Sequence, residues 1–485
     1  MNAECKGQCA SKYEGHIDAE FDVIVVGSGP GGYLAAEEAG KQGLKTLIVE
    51  KEFWGGVCLN VGCIPTKTLL KSAEVLETLQ HAGEYGIVGN LSDLNIDWAE
   101  TWSKMHERKY KVVDQLTKGV QMLMRGSKVT MENGEAEFLT PKVIKVNDKV
   151  YAGKKIILAM GSYARKLTML PGFEKAYEEK VALTSREAIN YDSNLPKSIV
   201  IVGGGVIGVE FAQVFKAAGA KVTILQNTDQ ILMGVDKDAV KEMTKVLTAS
   251  GVEIVYNAQT KELNDQKELV YSVNGEEKVV KADAYLIAVG RIPQSRGLKE
   301  VGIELGSRGE VIVDDKMRTN VEGVYAIGDL TGQSMLAHVA YQHAIVAVED
   351  ILGMDASYKN KPIPGCIYTH PEISFTGLTE EQAKEKGYDA FSAKYSFSFL
   401  GKAIAAKATT GFAKLVVDKK DGKILGGHII GPNSTDYISE IVLAIEKGVT
   451  VFDLAHTIHP HPTFSEIIWE CARSAALKLH LEHKK

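Results

Sequence analysis

The stretch GGVCLNVGCIPTK, residues 55–67, places Cys58 and Cys63 five positions apart in a chain with only six cysteines. A disulfide needs its Cα atoms within about 7 Å, whereas five residues of regular helix rise about 7.5 Å. The pair is therefore expected to interrupt regular helix, with Cys58 in the glycine-led approach and Cys63 at a helix start. Pro65 then falls in the first turn, where its missing N–H is not needed. A helix N-terminus favours the thiolate, the reactive form in thiol–disulfide exchange. On these residues alone, two unrelated buried cysteines are an equal reading, while a zinc half-site lacks a second cysteine pair at ligand spacing.

A second chemical cluster lies near the C-terminus, where HTIHPHPTFSE holds His456, His459, His461 and Glu466. Pro460 and Pro462 break helical continuity, so these histidines do not share one helix face as metal ligands, and no metal is expected. A histidine paired with a carboxylate is the better reading. Imidazole titrates near working pH, and a carboxylate on one ring nitrogen fixes the tautomer while the other moves protons.

Elements must bring these distant groups together. DVIVV, residues 22–26, is followed at once by Gly27, Gly29 and Gly32 in G-x-G-x-x-G spacing, then a helical pattern over 33–41 and a strand ending at Glu50. Strand, glycine turn, helix, strand and acid in this order form a dinucleotide-binding unit. The glycines admit a pyrophosphate to the helix N-terminus and the acid accepts from a ribose hydroxyl. The pattern recurs with Gly203, Gly205, Gly208 and a strand ending at Gln226, and the interval from third glycine to strand end is 18 positions in both copies. Two dinucleotides can therefore meet in one chain. Gln226 can hydrogen-bond a 2′-hydroxyl but offers no cation to a 2′-phosphate, and Asp229 nearby would repel one, so NAD is expected over NADP. Apolar strands ending at Gly161 and Gly290 mark passages between the two units, and TNVEGVYAIGDL ends at Asp329.

With 485 residues, 45% hydrophobic and 24% charged, the chain exceeds a single core. A net charge of -6 without long basic runs makes nucleic acid and anionic membranes unexpected partners. No apolar run reaches transmembrane length and the first twenty residues lack an h-region, so the chain reads as cytoplasmic. Six cysteines in so long a chain are no secreted disulfide framework. Cys5 and Cys9 read as incidental thiols of a mobile N-terminal tail.

With the cysteine pair about 30 residues after the first glycine turn, the chain resembles the flavoprotein disulfide reductases, the pyridine nucleotide-disulfide oxidoreductase family. The resemblance runs from about residue 20 to the C-terminus and rests on GGVCLNVGCIPTK, GGGVIGVEFA, VYAIGD and HPHPTFSE. It implies FAD at the first glycine turn with Glu50 on its ribose, and a flavin site at Asp329 with Met335, Ala337 and His338. NAD would occupy the second turn as co-substrate. It implies a Cys58–Cys63 redox disulfide, His461 as base with Glu466 orienting it, and a Lys67–Glu210 ion pair near the flavin; without the resemblance, surface positions are an equal reading for that pair. In this family the histidine comes from the partner subunit of a homodimer.

Within the family, the motifs are most similar to the branch that oxidises dihydrolipoamide with NAD⁺, whose partner is a lipoyl-bearing acyltransferase subunit of a 2-oxo acid dehydrogenase complex. A glutathione-type member is expected to carry tyrosine where this chain has Val206, and a mercuric-type member a vicinal cysteine pair where Cys471 stands alone. A catalytically silent flavin-bearing subunit is disfavoured by the intact cysteine pair. The expected fold is α/β, with two Rossmann-like domains and a C-terminal α+β dimerisation domain. Boundaries are expected at 1–19 for the tail, 20–155 for FAD, 156–284 for NAD, 285–357 for the return to the flavin domain, and 358–485 for dimerisation.

Overall fold

The computed structural model describes residues 13–88, 96–192 and 195–483; Cys5 and Cys9 lie outside the described residues. Strand β1 (Ala19–Val26) leads the first sheet, and Val23, Ile24 and Val25 are fully buried because both faces of this central strand are covered. Helix α1 (Pro30–Lys41) starts at once with Pro30 at a position where no N–H is needed. β2 (Thr46–Glu50) then returns parallel to β1, with Val26 opposite Val49. Helices α2 (Gly56–Val61), α3 (Cys63–Gln80) and α4 (Trp98–Gly126) come before β3 (Thr130–Asn133).

Strands β4 (Ala136–Thr140), β5 (Val143–Val146) and β6 (Lys149–Leu158) form an antiparallel meander whose last member pairs parallel with β1. The sheet order is β3-β2-β1-β6-β5-β4, and Val324–Ala326 later returns to pair with β6. β1 thus has α1 and β2 on one side and β6 on the other, which opens the crevice at its carboxyl end where such sheets bind ligands.

A second parallel sheet repeats the plan in the order Glu253–Val255, Lys221–Leu225, Ser198–Val202, Ala284–Ile287, Ala182–Leu183. Here Val202 lies opposite Leu225, the counterpart of Val26 opposite Val49. β6 runs past residue 155 in the first sheet and Ala284–Ile287 runs past 284 in the second, so divisions at those positions each cut a paired strand. We place the divisions after Leu158 and after Ile287 instead.

The C-terminal part is a five-stranded antiparallel sheet in the order Gly365–Ile367, Glu372–Gly377, Ile424–Gly431, Phe412–Asp418, Ala390–Ser396. Helices Ser434–Lys447 and Glu466–His483 share its core, in which Cys471 is fully buried. Two Rossmann-like units and a separate C-terminal unit are the expected α/β architecture. Among the described residues, no helix is long and apolar enough to cross a membrane.

Candidate active site

One continuous cavity of about 2670 Å³ reaches both glycine turns and the two cysteines. In each turn the third glycine is the packing point. A Cβ on Gly32 would stand 1.9 Å from the Gly27 carbonyl oxygen, and one on Gly208 would stand 2.0 Å from that of Gly203. No side chain fits there. Gly29 and Gly205, by contrast, face open space, which leaves backbone at the head of each helix free to meet a phosphate. Gly208 itself does not line the cavity; it packs beneath the turn that does.

Glu50 closes the first cradle. Its carboxylate accepts from the Ser28 N–H at 2.9 Å and hydroxyl at 2.7 Å, and from the Glu52 N–H at 2.8 Å. Gln226 stands at the same place in the second copy, accepting from the Gly204 N–H at 2.8 Å. Gly161, Gly290 and Asp329 line the space between the copies, with Met335, Ala337 and His338 beside them. Burial lowers the His338 pKa, and its Nε2 faces the Pro364 carbonyl at 2.8 Å.

The cysteine segment differs from expectation in one respect. Cys58 lies within α2 rather than in a non-helical approach, and the helical break falls at Gly62, whose φ of -147° and ψ of -115° separate α2 from α3. A Cβ on Gly62 would lie 2.8 Å from the Val57 carbonyl oxygen, so the fold of α3 back against α2 requires glycine. Gly56, at φ +63°, presses α2 onto the first turn, since a Cβ there would stand 2.6 Å from the Gly29 Cα. The start of α2 thereby sits against the first cradle.

Both cysteines are free thiols here. The hydrogen bond between them, with Cys58 as donor, holds the Cys63 pKa below the usual thiol range; burial opposes this and the Lys67 charge assists it. The same bond and burial push Cys58 up. Both shifts favour ionisation at Cys63 and retention of the proton at Cys58. Lys67 lies one turn into α3 and donates to both Glu210 oxygens, at 3.0 and 2.8 Å. Glu210 is buried and also accepts from the Tyr368 N–H at 3.0 Å, while the Lys67 ammonium lies 4.6 Å from the centre of the Tyr368 ring. Stripping one partner from such a buried pair costs about 3–5 kcal/mol.

His461 and Glu466 do meet each other: His461 Nδ1 lies 2.8 Å from Glu466 Oε1, and Glu466 Oε2 accepts from the Thr463 N–H at 2.7 Å. The His461 side chain is 76% exposed. Neither residue lines the cavity that holds Cys58 and Cys63 in the same chain. His459 forms a separate, buried pair with Glu440 at 2.8 Å. Among the described residues, no group of three or more His, Cys, Asp or Glu could hold a metal ion.

The family model for pyridine nucleotide-disulphide oxidoreductases matches residues 21–344, and that family's dimerisation domain matches residues 363–472. The chain belongs to this family. It is 42% identical over 459 residues to the dihydrolipoyl dehydrogenase of Mycoplasma genitalium, covering 94% of this chain and 98% of that protein. It is 40% identical to the dihydrolipoyl dehydrogenase of Bacillus subtilis, covering 95% and 97%. Among solved structures, the HOCl-induced flavoprotein disulfide reductase RclA from Escherichia coli is similar at a TM-score of 0.81 and 26% identity, covering 93% of this chain and 99% of that one.

The first cradle fits the flavin dinucleotide of this oxidoreductase family: an open backbone at Gly29, a buried acceptor at Glu50, and room continuing past Gly161 to Asp329. Three cavity-side groups escaped the sequence reading. Arg291 donates to the Ser162 hydroxyl and carbonyl at 2.8 and 2.7 Å and lies 4.0 Å from Asp329. Its signal was adjacency to Gly290. Tyr341 shares a short hydrogen bond with Tyr33, and Tyr368 covers Lys67. Those two pairings join residues hundreds of positions apart and carry no local pattern.

Proposed function

We propose that the protein oxidises protein-bound dihydrolipoamide to lipoamide, with NAD⁺ as hydride acceptor and FAD as resident cofactor. The observation that carries this is the single cavity holding both glycine cradles and the cysteine pair, in a chain of which 94% and 95% aligns with two dihydrolipoyl dehydrogenases. The working unit is a homodimer, supported by the dimerisation-domain match. Its protein partner in this reading is the lipoyl-bearing acyltransferase of a 2-oxo acid dehydrogenase complex.

The cycle begins with the Cys58–Cys63 disulfide. His461, its Nδ1 proton directed at Glu466, accepts a proton at Nε2 from one dihydrolipoyl thiol. That thiolate attacks Cys58 Sγ, the disulfide breaks, and Cys63 leaves as thiolate beside Lys67. The second substrate thiol attacks the mixed disulfide and the lipoyl ring closes; the Cys58 sulfur takes the proton held by the imidazolium, and the proton of the second thiol passes to the Nε2 so vacated. Gly29 and Glu50 would hold FAD at the first cradle, and the flavin so held would supply the two-electron relay between the dithiol and the nicotinamide. His461 lies away from its own chain's cysteines, so this reading takes the base from the partner subunit.

The test is turnover of one preparation with dihydrolipoamide, glutathione disulfide and mercuric ion against both nicotinamides. Dihydrolipoamide with NAD⁺ should exceed every other pairing in kcat/KM. Preference for glutathione disulfide or mercuric ion would contradict the reading.

A further inference from the structure

Gln226 stands where the first copy has Glu50, and the structure shows how the exchange of carboxylate for amide is accommodated. In both copies the side chain reaches 22 positions back, to the Ser28 N–H in one and the Gly204 N–H in the other. The second polar atom differs. Glu50 Oε1 accepts from the N–H of Glu52, two residues on. Gln226 Nε2 instead donates to the hydroxyl of Thr228, also two residues on, at 2.6 Å. The Thr228 hydroxyl in turn donates a hydrogen bond to the Gln230 carbonyl at 3.0 Å.

This chain of three hydrogen bonds begins at a backbone N–H, which can only donate, and ends at a backbone carbonyl, which can only accept. Its polarity therefore admits one orientation of the Gln226 amide: oxygen toward Gly204, nitrogen toward Thr228. The backbone around it is already committed, since the Gln226 N–H and carbonyl pair with Val255 and Ala258, and the Asn257 N–H donates to the Thr228 carbonyl. Gln226 is buried at the cavity wall. Its oxygen keeps a second lone pair, which suits a ribose 2′-hydroxyl and repels a 2′-phosphate.

We infer that Thr228 is a specificity-determining residue, which orients the Gln226 amide so that the second cradle prefers the 2′-hydroxyl of NAD over the 2′-phosphate of NADP. This rests on the reading that the second cradle takes the nicotinamide nucleotide. Without the Thr228 hydroxyl, the amide oxygen is still held by the Gly204 N–H, but the amide nitrogen loses its acceptor, leaving an N–H without a partner that a 2′-phosphate can satisfy.

The experiment compares the flavin-loaded dimer with its Thr228→Val and Thr228→Ser variants, measuring NAD⁺ and NADP⁺ dissociation constants by calorimetry and KM and kcat for both. One neutral hydrogen bond predicts that Thr228→Val weakens NAD⁺ by about threefold to tenfold with kcat unchanged. The NAD/NADP affinity ratio should fall by at least as much, and Thr228→Ser should behave as the wild type. An unchanged ratio in Thr228→Val, or an equal loss for both nucleotides, overturns the inference. Gly205→Leu separates the underlying reading, because its side chain would enter the open space of the second cradle. If NAD⁺ still binds that variant at wild-type affinity, the second cradle is not the nicotinamide site and the inference falls with it.

Discussion

The two glycine cradles are built alike and equipped differently. Each packs its third glycine within 2.0 Å of the first carbonyl, as measured to an added Cβ, and each leaves its second glycine facing open space. Each closes with a buried side chain 22 positions beyond a turn N–H. The first closes with a carboxylate held by backbone donors and continues into α2 and α3, which carry the cysteines. The second closes with an amide and continues into a helix, Lys237–Ala249, N-capped by Asp236, a segment that carries no cysteine. The fold supplies the cradle twice; the residue at or just past the end of each second strand, Glu50 or Gln226, and the segment that follows assign the chemistry.

Breaking the asymmetry at its source gives the largest effect. Cys58→Ser should abolish dithiol-linked turnover, because no disulfide remains to be attacked, while the NAD⁺ dissociation constant stays unchanged by calorimetry. A matched pair of substitutions addresses each cradle in turn. Gly32→Ala and Gly208→Ala both force a methyl against a carbonyl, at about 1–3 kcal/mol or more. Gly32→Ala should lower flavin content in the purified protein, whereas Gly208→Ala should keep flavin and weaken NAD⁺.

A smaller effect reads the electrostatics of the first cradle. The Cys63 pKa is lowered, so its thiolate persists as pH falls and is lost only on passing below that lowered value. Lys67→Met removes an assisting charge and should move the onset of Cys63 alkylation by iodoacetamide, in the reduced enzyme, upward by about one pH unit. An unmoved onset would leave the Cys58 hydrogen bond as the sole cause. The smallest effect sharpens the comparison directly. Gln226→Glu makes the second cradle resemble the first and should widen the NAD preference severalfold, through repulsion of the 2′-phosphate in paired kcat/KM measurements.

The cradles were legible in the sequence because they are local: strand, turn, helix and strand fall within about thirty residues, and glycine spacing reports a close approach that no other residue survives. The cysteine pair was legible for the same reason. The position of the break was not, since it depends on Gly62 packing against the Val57 carbonyl, a contact that spacing alone does not select. The Lys67–Glu210 pair needed the family resemblance, because 143 positions separate its members. Arg291 on Ser162 and Tyr341 on Tyr33 were missed because each pairing is made only when separate strands and helices meet. In the structure His459 and His461 each take their own carboxylate, Glu440 and Glu466.

The central claim is that the redox site is divided between two chains, with Cys58 and Cys63 supplied by one and His461 by the other. His461→Gln alone should slow dithiol oxidation by about 10²–10⁴-fold, and Cys58→Ser alone should stop it. The decisive measurement is the activity of verified heterodimers formed from these two variants, isolated through different tags. A shared site predicts recovery to about half the activity of a tagged wild-type heterodimer, since one of its two sites carries neither lesion. Heterodimers as inactive as their parents would show that each chain uses its own histidine.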